Sequence, residues 1–418
     1  MTPELGGLRR DAAIGWRNLG RNRRRTALAW AAIALAQVTL VWVSSFINGY
    51  TATIFGTLTG PMLGHVQVHA RHYLHDRDMG RTITDASSVA AAVAALPHVE
   101  QVWARVYGPV LATQEVLGHV ALVTGLDPEA ERSRGGLLAG LAAAEAPGPG
   151  EVVVGGDLAR QMGVRAGATL ALMGQAADGS IASGLYRVRA LVRTPVDAVN
   201  QSGILMDLRT AQQFLGMDDR VHELIVHVDD AARIPQVATA MRRLPALGAY
   251  EISTWDELAP QIAALLKVAN VSTGFILVLL FITTVAGVAN TMLMATFERR
   301  HEFGMLLALG CRPSRLVRML VLESVALGLA GAVIGSVLGV ALSLPGVLHG
   351  FDLGSASGGA RVGSLTIEGM ELGGRLQLVL RPSDLLLGVV AVFVTALLAS
   401  LWPALRILRM EPAETLRS

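Results

Sequence analysis

The chain has 418 residues, 52% hydrophobic and 16% charged, with a mean hydropathy of +0.48. Soluble domains carry about a quarter charged residues, so this is the composition of a membrane protein with a sizeable soluble part. Cys311 is the sole cysteine and Lys267 the sole lysine, which excludes an internal disulfide, a multi-cysteine metal site and a Walker phosphate-binding loop; the net charge of +2 and the lack of basic–aromatic interleaving give nucleic-acid binding no support.

Residues Met1 to Arg25 carry seven arginines against two acids and end in Arg21-Asn22-Arg23-Arg24-Arg25. Trp16-Arg17-Asn18-Leu19 suits an interfacial position, with the indole at headgroup depth. Thr26 to Ile47 is then apolar for long enough to cross a bilayer. It is too long for the apolar core of a signal peptide, and no small-residue cleavage site follows at Asn48-Gly49-Tyr50, so an uncleaved first span is expected.

From about residue 49 to 268 the composition is that of a soluble α+β domain. Gly64-His65-Val66-Gln67-Val68-His69-Ala70 alternates as a half-buried strand, with His65, Gln67, His69 and Arg71 on a solvated face. Asp85 to Leu96 suits a helix capped by Asp85, and Val99 to Val106 and His119 to Thr124 suit strands. Glu223 to Val228, Ala232 to Leu244 and Tyr250 to Thr254 repeat the strand–helix–strand order, and both helices end in Leu-Pro. A split βαβ pair in one layer follows. Between the two halves, Glu151 to Gly216 is expected to form an inserted β-rich subdomain, introduced by Pro147-Gly148-Pro149-Gly150.

The C-terminal part, 269–418, returns to the membrane. The second span is expected over Ser272 to Phe297, long enough to tilt or project as a stalk. Glu298-Arg299-Arg300-His301-Glu302 follows abruptly, and then an amphipathic segment, Phe303-Gly304-Met305-Leu306-Leu307-Ala308-Leu309, stops at Gly310-Cys311-Arg312-Pro313. Its expected hydrophobic face is Phe303, Leu306, Leu307 and Gly310. Such a short helix suits a groove in another protein or an anionic lipid surface. The third span, Leu316 to Leu344, holds Gly328, Gly331, Gly335 and Gly339 at small-residue spacing for close helix packing. A polar, glycine-rich excursion at 346–382 leads to the fourth span, Leu385 to Leu405, with Arg406 and Arg409 after it. Arginines flank the N-terminus, the loop between spans two and three and the C-terminus, which puts all three in the cytoplasm and the large domain on the other side.

Catalytic chemistry finds no constellation: neither a G-x-S-x-G elbow nor an H-E-x-x-H helix is present. His65, His69, His72 and His75 are the one metal-like cluster, but their spacing suits a solvated surface better than convergent ligands. In the membrane, Glu323 suits an interfacial carboxylate paired with Arg315 or Arg318 better than a proton relay, and Asn290 either bonds another helix or sits near the interface.

Several of these residues together resemble a known family. Asn290, Glu298-Arg299, Glu302-Phe303-Gly304, Ala308-Leu309-Gly310, Glu323 and Gly331 resemble the FtsX-like domain of type VII ABC transporter permeases. Pro403-Ala404 and Pro412-Ala413-Glu414-Thr415-Leu416-Arg417 resemble that domain's ending, and Trp16 to Asn22 with Arg24-Arg25-Thr26 its entry to span one. The resemblance implies that Glu298 to Cys311 form a coupling helix seated on a dimeric cytoplasmic ATPase. ATP and magnesium would then be held by that partner and no cofactor by this chain. It also implies a second permease copy or paralogue, and a periplasmic domain driven through a stalk, the mode called mechanotransmission.

Four spans exclude the ten-span bacitracin-resistance type. Gly64-His65-Val66-Gln67-Val68-His69 after Asn48-Gly49-Tyr50, with Tyr73-Leu74-His75-Asp76 and the long last loop, resembles the lipoprotein-releasing LolC/LolE type more than MacB-like efflux permeases. This favours a lipoprotein substrate, with a periplasmic chaperone as a further partner, at the inner membrane. A membrane sensor is the reading from another class; it lacks a cytoplasmic output domain in this sequence.

Overall fold

A computed structural model describes residues 23–408 apart from 77, 115–116, 134, 299, 353–365, 368–369 and 372–374. The interfacial segment Trp16–Leu19, the terminal motif Pro412–Arg417, Arg299 and most of the last excursion therefore lie outside the described residues. Two compact units emerge. One gathers the described residues of Met1–Ala52, Leu266–Phe351 and Arg375–Ser418, and the other those of Thr53–Leu265 and Asp352–Gly374.

Among the described residues four helices are long and apolar enough to cross a membrane. They run over Arg23–Leu58, Pro260–Glu298, Pro313–Leu348 and Pro382–Leu408. Each outlasts the apolar run that announces it. The first helix continues past Ile47 through Asn48-Gly49 because tertiary contacts override the local turn signal. Asn48 Nδ2 donates to Asp384 Oδ2 at 2.6 Å, and a Cβ on Gly49 would sit 2.0 Å from the Gln377 carbonyl oxygen. The second helix begins at Pro260 rather than Ser272, since proline at a first helical turn gives up no intrahelical bond. At about 1.5 Å per residue its 39 residues span about 58 Å, nearly twice a hydrocarbon core of about 30 Å.

In the other unit, nine strands follow in chain order: β1 Val66–Ala70, β2 Val99–Gln114, β3 Leu117–Leu126, β4 Glu151–Gly155, β5 Thr169–Gln175, β6 Ile181–Val192, β7 Gly203–Asp207, β8 Glu223–Val228 and β9 Tyr250–Thr254. The order β2-β8-β1-β9, antiparallel at every step, is the split βαβ layer expected from the repeat. Helices Ala86–Ala94 and Ile234–Met241 cross over it, burying Val89, Val93, Val237 and Met241. Asp85 precedes the first of these, but in a left-handed conformation (φ 49°) and without a side-chain cap bond.

The inserted part is a closed barrel. β2 pairs β3, and the path β3-β7-β4-β6-β5 returns to β2, so six strands close on themselves. The expected insertion at 151–216 thus misses its first wall. That wall is the far half of β2 together with β3. One strand of 16 residues serves both layers: Val99–Arg105 pairs β8, and Val106–Gln114 pairs β3. The strand expected over Val99 to Val106 thus runs on to Gln114. Within it Gly108 is a close approach, where a Cβ would sit 2.7 Å from Leu215 Cδ2 of helix Leu208–Leu215.

The polar face of β1 is not solvated, contrary to its alternation. Gln67 is 2% exposed and His69 fully buried, while Arg71, His72 and His75 are exposed. β1 is an inner strand between β8 and β9, and just ahead of it Phe55 stacks on His65 at 5.5 Å. Alternation reports two faces with different chemistry and does not say that the polar one is wet.

Candidate functional site: a short helix after the second span

The second-span helix ends at Glu298, and a separate helix follows at Arg300–Ala308. Its end is built by hydrogen bonds that the sequence sets up. Cys311 N–H donates to Leu306 O at 2.9 Å and Gly310 N–H to Leu307 O at 3.0 Å, with Gly310 left-handed at φ 87°. These are the two bonds of a Schellman stop, and glycine holds the position where a side chain would be strained. Arg312 and Pro313 then start the third-span helix, with proline in its first turn.

The apolar residues of the short helix divide between two directions. Phe303 and Leu307, one turn apart, pack on Leu316, Leu320 and Ala404 of the third and fourth spans. Met305, Leu306 and Leu309 point away and are 45%, 39% and 84% exposed. The expected single face of Phe303, Leu306, Leu307 and Gly310 is therefore split. Phe303 and Leu307 anchor the helix, while Leu306 joins Met305 and Leu309 on the open side. Gly304 is buried, Glu302 half-buried, and Glu298, Ala308 and Gly310 exposed.

Beneath it, the small-residue stripe of the third span meets two neighbours. A Cβ on Gly331 would lie 2.8 Å from Ile33 Cγ2, on Gly335 2.6 Å from Gln37 Cβ, and on Gly339 3.0 Å from Val41 Cβ. Gly328 faces the fourth span instead, 3.1 Å from Ala396 Cβ. Close backbone approach of this kind lets dispersion and buried hydrogen bonds hold helices in lipid. Gln37 supplies one such bond that the sequence reading missed: its Nε2 donates to Ser336 Oγ at 3.1 Å, and the residue is 1% exposed. Glu323 is buried at 6% in the same helix, beside buried Ser324.

The second span is packed differently. Only 6% of its most apolar window is buried, against 33% for each of the others. Val288 reaches Ala29, Ile33 and Leu327, but two clefts flank the helix. One, of about 430 Å³, lies against the first span and is lined by Ala32, Ala36, Thr283, Gly287 and Asn290 among others. The second, of about 230 Å³, lies between the first, second and fourth spans beside Gln37, Phe281 and Gly388. Asn290 is thus an exposed residue on a cleft wall.

Comparison with known proteins gives this arrangement its family. Residues 26–244, more than half of the chain, match the MacB-like periplasmic core domain, and residues 274–412 match the FtsX-like permease C-terminal domain. The lipoprotein-releasing system transmembrane protein LolC of Neisseria meningitidis serogroup B is 23% identical over 439 residues, covering 97% of this chain and 99% of that one. An uncharacterized ABC transporter permease of Methanocaldococcus jannaschii is 25% identical over 162 residues, 38% of this chain and 41% of the relative. The macrolide export ATP-binding/permease protein MacB of Escherichia coli is 27% identical over 123 residues, 28% of this chain and 18% of that protein. The chain thus spans well under half the length of the last two relatives. With a MacB-like periplasmic core domain set between its first two spans and an FtsX-like permease domain after it, the chain belongs to the MacB/FtsX family of ABC transporter permeases.

Proposed function

We propose that this chain is the membrane subunit of a mechanotransmission transporter, with helix Arg300–Ala308 as the handle by which a cytoplasmic ATPase moves it. The observation that carries the reading is the split of that helix. Phe303 and Leu307 fix it to the third and fourth spans, while Met305, Leu306 and Leu309 stay exposed beside a charged entry. A loop that only touched lipid headgroups would need neither a fixed orientation nor a built stop, whereas a helix laid in a protein groove needs both. In this reading the N- and C-termini and the handle are cytoplasmic, the α+β domain is periplasmic, and the bilayer is the inner membrane. A dimer of ATPase subunits binds ATP and magnesium. The poorly covered second span and its flanking clefts take a second permease copy or paralogue.

The substrate reading is lipoprotein release: extraction from the outer leaflet of the inner membrane and handover on the periplasmic side to a carrier. It is supported by a LolC relative that aligns over 97% of this chain, whereas the MacB relative aligns over 28%. Efflux of a drug or peptide is the second reading, favoured by the match of residues 26–244 to the MacB-like domain. A photoreactive amino acid at Leu309 tests the handle. Capture of an ATP-binding subunit is expected, and capture of lipid alone refutes it. Mass spectrometry of molecules copurifying with the complex separates the substrates, acylated proteins being expected.

A further inference from the structure

The α+β unit carries an internal structure that the reading above does not use. The chain enters this unit through 53–63 and leaves it through 255–265, and both segments are locked to one face of the four-stranded layer. The entering helix ends in a single π-helical turn, Thr59–Leu63, of the kind that often marks functional positions. Arg105 of β2, 1% exposed, donates from its NH2 group to Pro61 O of that turn at 2.8 Å. The same guanidinium holds Glu131 at 2.6 Å, and Glu131 Oε2 accepts Leu137 N–H at 2.9 Å. Gly60 lies on Gly135 so closely that a Cβ there would be 3.2 Å from its carbonyl oxygen.

A column of rings continues from this ion pair across the sheet. Trp103 lies under Arg105 at 5.9 Å, His227 follows at 4.1 Å, His65 at 5.6 Å and Phe55 at 5.5 Å. Phe55 meets Trp255 edge-on at 5.2 Å, and Trp255 N–H donates to His65 O at 3.2 Å. Thr254 and Glu257 form a capping box at the start of the departing segment. The column thus joins the entering segment, the strands β2 and β8, the residue just before β1 and the departing segment. A domain that needed only stability would be served as well by apolar packing here, because a buried ion pair contributes little net stability over an apolar isostere.

We propose that the Arg105–Glu131 pair, its bond to Pro61 and the ring column form a joint. It makes 53–63, 255–265 and the β2-β8-β1 face move as one body, so that displacement of the chain ends is delivered to the domain rather than absorbed in a loop. Arg105 is a positioning residue in this account. The role in transport rests on the proposed mechanotransmission; the rigidity of the joint does not.

The test uses full-length protein in nanodiscs with Cys311→Ser and spin labels at Gly56→Cys and Arg187→Cys, both exposed and both within this unit. The paired replacement Arg105→Met with Glu131→Leu removes the bond to Pro61 without leaving the Glu131 carboxylate buried beside a missing guanidinium. A single narrow interlabel distance is expected for the parent and a distribution at least twice as broad for the pair, measured below the unfolding transition of both. Equal widths overturn the joint. A second readout, with the ATPase subunit added, is expected to show ATP hydrolysis within twofold of the parent but substrate release reduced at least tenfold. A broadened distance with normal release retains the joint and refutes its place in transport; Phe55→Ala is expected to repeat the broadening.

Discussion

Acid should destabilise the α+β unit as pH falls below about 6.5, because three histidines are held neutral inside it. Burial lowers His222 to about 4, and burial together with the nearby His65 and Arg105 lowers His227 to about 3. His65 is lowered in the same direction by burial. The hydrogen bonds agree: His222 Nδ1 accepts Tyr107 N–H at 2.9 Å and His65 Nδ1 accepts Val228 N–H at 2.8 Å, which require unprotonated nitrogens. Among the described residues His227 Nε2 has no hydrogen-bond partner. For a histidine lowered in this way, the unfolded chain binds the proton first, near pH 6.5. Stability is full above that value and falls as pH drops toward the folded values of about 4 and about 3. At pH 5, about 1.5 units under the unfolded value, each contributes a loss of about 2 kcal/mol, or about 4 kcal/mol for the two, against typical totals of about 5–15 kcal/mol. Denaturant titration followed by the fluorescence of Trp103 and Trp255, which flank the histidines, measures this between pH 7.5 and 5. His227→Phe keeps the ring contacts and should remove about half of the pH slope. A midpoint that stays level over this range, or a His227→Phe variant with the parent's full slope, would refute the reasoning.

Other consequences follow from single contacts. Arg105→Met alone strands the buried Glu131 carboxylate and should cost about 3–5 kcal/mol, seen as a lowered denaturation midpoint that the paired Glu131→Leu change restores in part, the Leu137 N–H still losing its acceptor. Gly335→Leu drives a side chain into Gln37 and Ala34 of the first span; about 1–3 kcal/mol of overpacking should lower the thermal midpoint of the detergent-solubilised protein, and an unchanged midpoint would contradict the close approach. Gly310→Ala places a Cβ in a left-handed position and should cost about 1–2 kcal/mol, read as loosened protection of the Leu306–Cys311 amides in hydrogen exchange.

Much of this architecture is legible in the sequence because membrane spans, arginine clusters and the strand–helix–strand repeat are each local patterns. The spans announce themselves by uninterrupted apolar runs, and the stop at Gly310 by the glycine itself. What escapes depends on neighbours distant in the chain. The first helix outruns its apolar stretch at Asn48-Gly49, where the contacts with Asp384 and Gln377 come from residues far along the chain. The strand expected over Val99 to Val106 runs on to Gln114 because β3 and β5 pair with its far half. The polar side of β1 looks wet, because nothing in its alternation reveals Phe55, a helix residue, lying on His65. At the handle, helical periodicity shows that the segment is amphipathic, but not that Phe303 and Leu307 are already taken by Leu316, Leu320 and Ala404. Only the folded chain leaves Met305, Leu306 and Leu309 as the open side.

The central claim is that this open side takes the thrust of an ATPase. Its most direct test is the pair Leu306→Asp and Leu309→Asp in the full-length chain, reconstituted with the ATPase subunit, with substrate release and ATP hydrolysis measured together. Both side chains point away from the membrane helices, so insertion and the thermal midpoint should be unchanged while binding of the ATPase falls at least tenfold and release is lost. Normal release by a correctly inserted double variant would contradict the account.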